Sequence, residues 1–450
     1  NDGGADNTVF GFLAGAALAS GGDDNTVIGD YAGNALTTAD GCVAIGSGAM
    51  LVHTTGGQNI AIGAGAMDDT NVNANNLGST YNVFIGSDSG GGTWAGADSS
   101  QYNTAVGHST MSGALTAANL NTAIGYASLE SITTGDNNTA IGNATGRAIT
   151  TGADNVCIGY RAGDAFDTED DNVAVGANAL GGGSLAVGET LAIGSNSLAS
   201  LTSGAGNIGI GHFTLQYHGT GARNIAIGHG SMDGTGANDA PTSTDNVFIG
   251  YDAGGGAWTN DDSNLNVGIG NYVMDAAING ALGNSALGHG ALGGVISGDY
   301  NVAIGYEAGL GLSVSDNTVL LGFRAGYSLN NANADGTVAI GYNAGAAQTN
   351  GERRVAIGYQ ALLLDDEGDD MTAVGYGALA TANGAADGNG NTALGSLSGL
   401  SVTTGLYGTF IGAYSAGETA SNAITGNSNT AVGFQSAYNM SGAAADNTIV

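Results

Sequence analysis

The chain is 450 residues long, with 84 Gly, one Pro, two Cys, no Lys, and 39 acidic residues against six Arg, giving a formal net charge of -33. Nucleic acid and anionic membrane are not expected partners, because both are bound through Lys and Arg that displace counterions. Lys-based catalysis is excluded, and the Gly falls at motif positions rather than at every third residue, which excludes collagen.

One phrase runs through the sequence: Asn, a β-branched residue, a small residue, Ile or Val, then Gly. It stands near the start as Asn25-Thr26-Val27-Ile28-Gly29, recurs as Asn121-Thr122-Ala123-Ile124-Gly125 and Asn301-Val302-Ala303-Ile304-Gly305, and is still present at Asn429-Thr430-Ala431-Val432-Gly433. The phrase glycines, from Gly29, Gly46 and Gly63 onward, are mostly 17 or 18 residues apart, with a minority of spacings between 19 and 23. A fixed period of this size means that one unit cannot bury its own apolar face and must stack on its neighbours. The expected fold is all-β, a parallel β-solenoid of about 25 coils of roughly 17 residues, with residues 1–450 forming a single continuous solenoid. Both ends cut the phrase short, which reads as a segment of a longer polymer continuing at either end.

Alternation along each strand puts Thr122 and Ile124 on one face and Ala123 on the other. Both faces are apolar or small, as in a strand buried on two sides. One face fills the coil. The other, read here as the Ala column with Ala123 and Ala303, needs a lateral partner, most simply another copy of the chain. The leading Asn column, with Asn121 and Asn301, is expected to form amide ladders. After Gly125 and Gly305 come Tyr126 and Tyr306, members of an aromatic or His column that stacks at one corner. Cys42 and Cys157 lie six coils apart, too far for a disulfide, and are expected to be buried thiols.

A longer period of about nine coils repeats two consecutive long loops, which would form paired knobs at 68–102 and 233–265. Trp94 and Trp258 lie in equivalent loops near Asp98 and near Asp261 and Asp262. Each ring either pins its loop to the coil or offers a flat apolar surface, beside carboxylates, to a surface glycan. The pairs Asp68–Asp69 and Asp261–Asp262 supply hard oxygen ligands suited to calcium, although the spacing matches no EF-hand and no other cofactor is implied. The six His show no metal spacing. No Gly-x-Ser-x-Gly elbow or P-loop Lys is present, so no catalytic residue is assigned and the chain is read as no enzyme.

Phrases such as Val43-Ala44-Ile45-Gly46 and Val338-Ala339-Ile340-Gly341 resemble the head repeats of YadA-like trimeric autotransporter adhesins, and Asn121 to Tyr126 looks like repeats in bacterial and phage tail-fibre proteins. The resemblance covers nearly the whole chain. It implies a left-handed parallel β-roll, three chains side by side as a homotrimer, and an adhesive or spacer rod on a cell or virion surface. The expected function is thus an extracellular structural fibre or adhesin shaft presenting loop knobs, with no direct membrane insertion in this segment. One alternative is a phage tail fibre recognising host-surface glycans. Another is an ice- or mineral-binding solenoid, which needs a flat exposed Thr array; Thr alternating with Val and Ile in one column predicts burial instead.

Overall fold

In the computed structural model the chain is an all-β, parallel β-solenoid with about 17 residues per turn. It describes residues 5–70, 78–94, 99–164, 166–182, 188–235, 242–259, 261–330, 334–349, 351–365, 368–382, 390–417 and 423–450. The chain divides into two compact units, Asn1–Ala222 and Arg223–Val450. In the first, strands run from Thr8–Phe10 to Ile208–Ile210, each pairing in parallel with the next, as Thr122 does with Thr139. In the second they run from Ile225–Ile227 to Thr448–Ile449 in the same manner, Val302 pairing with Val319.

Almost every strand is three residues long, because the phrase supplies three extended residues and then a Gly that turns the chain. Gly125 has φ +134, and a Cβ there would stand 2.1 Å from the carbonyl oxygen of Gly142 in the next coil. The corner before the Asn is also left-handed but carries ordinary side chains, among them Leu120 at φ 58 and Tyr300 at φ 57. Such a backbone costs on the order of 1 kcal/mol. The stacked coil offsets it: the Tyr300 N–H donates to the Leu282 carbonyl at 2.8 Å.

Inside the coils the Asn column forms the expected ladder. Asn121 Nδ2 donates to Asn103 Oδ1 at 3.1 Å and to the Gly135 carbonyl at 2.8 Å, while its Oδ1 accepts from Asn138 N at 2.9 Å and Asn138 Nδ2 at 3.1 Å. Asn301 does the same between Asn284 and Thr318, accepting both the N–H and the hydroxyl of Thr318. Both amides are fully buried.

That burial overturns the expected orientation of the strand. Ala123 and Ala303 share the parity of the Asn, so they also point inward and are 0% exposed within one chain. The Ala column therefore fills the coil interior and is not a lateral seam. Thr122, Ile124, Val302 and Ile304 are the residues that face outward. The inner slot is small because Leu and Met side chains such as Leu129, Leu292 and Met111 enter the coil from other sides. Cys157 occupies this slot and Cys42 an Asn slot; both are buried and free, as their spacing predicts, and burial pushes the Cys157 thiol up to about 12.

Removing one amide from the ladder should be felt locally. Asn301→Ala strips partners from the Thr318 N–H and the Ser315 carbonyl, a loss of about 2–3 kcal/mol. Because each coil touches only its neighbours, amide hydrogen exchange should accelerate around residues 284–319 and stay unchanged around Thr372–Val374. Uniform acceleration across the second unit would contradict this.

Candidate functional site

The two outward columns of the strand form an apolar surface repeated from coil to coil. In the first column Thr, Val or Ile is half-buried in nearly every coil, and in the third column Ile124 is 40%, Ile304 45% and Leu394 49% exposed. Their partial shielding comes from the same residues one coil above and below. A contiguous apolar patch larger than a few hundred Å² on a soluble protein marks a contact surface. Ser285 dents this face, leaving a notch of about 110 Å³ lined by Val267, Ile269, Leu287 and Ile304.

Beyond the Gly corner runs the aromatic column. Tyr306 and Phe323 have ring centroids 5.3 Å apart, Phe323 and Tyr342 5.1 Å, with planes 8° apart in both pairs. Tyr126 stacks on His108 at 5.6 Å. From His289 to Tyr376 each ring covers the face of the next, so within this run the flat faces a sugar would use are occupied.

Trp94 and Trp258 are not part of any surface. Both are 0% exposed, each packs edge-on against a Phe in the inner column (Phe84 at 5.9 Å, Phe248 at 5.7 Å), and each indole N–H donates to a glycine carbonyl, Gly90 or Gly254. The glycan-facing reading of these rings is thereby corrected in favour of the pin. The inner slot holds Phe instead of Ala at these two coils, and the indole packs edge-on against that ring. The sequence signal was the coincidence of Phe84 with Trp94 and of Phe248 with Trp258.

Of the acidic candidates, Asp98 lies outside the described residues. Asp68 is half-buried beside Asp88; its carboxyl is raised above the usual carboxylate range by burial first and by the charges of Asp69 and Asp88 next, and its Oδ1 has no hydrogen-bond partner. Asp69 accepts the Thr93 hydroxyl at 2.6 Å. Asp261 donates its N–H to Asn279 Oδ1, and Asp262 accepts from the Thr242 hydroxyl, so these neighbours serve different bonds. Among the described residues no three His, Cys, Asp or Glu side chains converge where a metal ion could be held.

Other carboxylates, which the sequence did not single out, have a role along the coil edge. Asp299 Oδ1 accepts from Leu282 N at 2.8 Å, Asp316 from Asp299 N at 2.7 Å and Asp335 from Asp316 N at 2.8 Å. An Asp two residues before the Asn slot thus forms a second ladder along the coil edge. The six Arg are all ion-paired, including Arg354, which sits buried in an Asn slot 2.9 Å from the equally buried Asp365. The described surface therefore presents no unpaired Arg, in keeping with the charge balance.

Two His lie in the interior at a position where other coils carry residues such as Leu36, Leu201 and Ile149. His53 donates from Nε2 to the Gly56 carbonyl at 2.8 Å and its Nδ1 meets the Thr70 hydroxyl at 3.0 Å; His218 donates from Nε2 to the Gly221 carbonyl at 3.1 Å. Burial lowers both pKa values, that of His218 to about 4. No protein-family model matches the sequence, and neither does any curated protein. No described helix is long and apolar enough to cross a membrane.

The depressed His218 pKa has a defined pH consequence. The unfolded chain takes up a proton near pH 6.5 while the folded chain stays neutral to about pH 4, so the stabilisation is complete above pH 6.5 and is lost as pH falls toward 4. The loss is on the order of 3 kcal/mol at the first unit. Urea titrations at pH 7 and pH 4.5 should show it, and His218→Leu, the residue found at Leu201 and Leu36, should flatten that part of the slope.

Proposed function

We propose that this chain is the shaft of an extracellular structural fibre or adhesin, in which copies pack side by side along the outward Thr/Val and Ile columns. The observation that carries the reading is the repetition of this half-exposed apolar pair on coil after coil. A strip about 10 Å wide, the length of a three-residue strand, stepped at about 4.8 Å per coil over about a dozen coils, offers roughly 580 Å² in each unit, and the two units together exceed the roughly 800 Å² per partner of a standard protein interface. The adhesin-like phrases imply three chains side by side, and the outward Ile column is where we place their contact. The role is mechanical: the shaft works without a catalytic residue or cofactor, and its acidic exterior suits a salty medium in which charges are screened within about 8 Å. A tail fibre on a virion would use the same shaft.

A second reading has its own observation. Thr372, Thr392, Thr409 and Thr430 occupy consecutive coils in the first outward column and are half-exposed, not buried as their alternation with Val and Ile predicts. A row of hydroxyl and methyl groups on a rigid sheet suits ice or a mineral face, and thermal hysteresis of the purified chain would reveal it.

The fibre reading is tested by Ile124→Glu, Ile158→Glu and Ile193→Glu combined, which are spaced two coils apart and keep the new charges from adjoining. These side chains point outward, so the coil stays folded, while burying three carboxylates should weaken association at least ~100-fold, about 2.8 kcal/mol. Light scattering should show a multimer for the parent chain and a monomer for the variant. Cryo-electron microscopy in cross-section should show copies meeting along the Ile column; a lone solenoid with that column bare would end the proposal.

A further inference from the structure

Three tyrosine pairs stand on neighbouring coils with their phenol rings stacked: Tyr81 with Tyr102, Tyr342 with Tyr359, and Tyr359 with Tyr376. In each pair the centroids are 5.1 Å apart and the planes lie within 8° of parallel. All five rings are 42–55% exposed. We propose that these pairs are oxidative coupling sites, at which a one-electron oxidant of the peroxidase and hydrogen peroxide class joins the two tyrosines as dityrosine and ties successive coils together.

The chemistry needs only what these positions offer. Each phenol gives up one electron and its hydroxyl proton to form a tyrosyl radical. The two radicals join by a carbon–carbon bond between their ortho carbons, and the ortho hydrogens move to the phenol oxygens to restore both rings. Two electrons and two protons leave per bond, and one hydrogen peroxide takes them up to give two waters. Stacked rings must swing edge to edge for the ortho carbons to meet. Rotation about Cα–Cβ and Cβ–Cγ achieves this, because the five rings are 42–55% exposed and can swing into solvent.

The placement of the competing reductants strengthens the case. Cys42, Cys157, Trp94 and Trp258, the thiols and indoles that would otherwise quench a radical, are all buried. Other exposed tyrosines lack the geometry: Tyr306 lies between His289 and Phe323, Tyr126 stacks on His108, and Tyr251 meets Tyr272 with planes 69° apart. Coupling is within one chain, so it stands independently of the assembly proposed above.

The test is to treat the full chain with a haem peroxidase and hydrogen peroxide, follow dityrosine fluorescence, and map the cross-linked peptides by mass. Expected are peptides joining Tyr81 to Tyr102 and Tyr359 to either Tyr342 or Tyr376, each lighter by two hydrogens than its parts, with a yield unchanged by dilution. Tyr359→Phe keeps a ring in the stack and should lose every link in the second unit while retaining Tyr81–Tyr102. Tyr300→Phe, at an exposed tyrosine outside the stacked pairs, should change nothing. Links distributed over Tyr126, Tyr160 and Tyr300, a yield that falls on dilution, or no link under conditions that couple free tyrosine would each overturn the proposal.

Discussion

A buried amide that must meet the same amide one coil away constrains everything else in this protein. Asn121 and Asn301 are fully buried, and a primary amide left unpaired there costs more than the net value of a hydrogen bond. Exact repetition answers the problem, since each Oδ1 and Nδ2 finds its partners in the coils above and below. Once the Asn points inward, strand parity places Ala123 inside and Thr122 and Ile124 outside. The Gly two residues beyond the Ala then has to turn the chain where the next coil leaves no room for a Cβ. The aromatic column at the rim follows from that turn.

The charge of the chain is handled by the same repetition. Carboxylates one coil apart repel, yet Asp299, Asp316 and Asp335 stand in file. Each is tied to a backbone N–H, a favourable interaction for an anion, and solvent and salt screen the remainder. Where an Arg replaces the Asn, at Arg354, the ladder is interrupted by a charged pair that brings its own counterion in Asp365 and a second acceptor in the Gly351 carbonyl.

Much of this was legible in the sequence, and the division between what was and what was not has a physical cause. The phrase period reveals stacking, the Asn column reveals the ladder, and the run of rings after successive glycines from His289 to Tyr376 reveals the ring stack, because these are properties of one column at a time. Which strand face turns outward was not legible from Val302-Ala303-Ile304 alone, since both faces are apolar and the answer lies in the burial of Asn301. The Trp positions misled for a related reason: a ring in a Gly-rich loop near acids fits a sugar site or a core plug, and only its burial against Phe84 or Phe248 decides. The Asp edge ladder escaped notice because a carboxylate bound to one N–H looks, in sequence, like any acidic loop.

Strand register holds whatever length of chain lies between strands. Thr122 pairs with Thr139 across a minimal coil, and Ile60 pairs with Val83, or Ile225 with Val247, across a much longer excursion. The ladder counts phrases and not residues, so the connecting segment is free to grow, shrink or change sequence without disturbing the sheet. In evolutionary terms this separates two kinds of change that most folds entangle: whole coils can be duplicated to alter the number of steps, and inserts can be exchanged at a corner, each without a compensating substitution elsewhere.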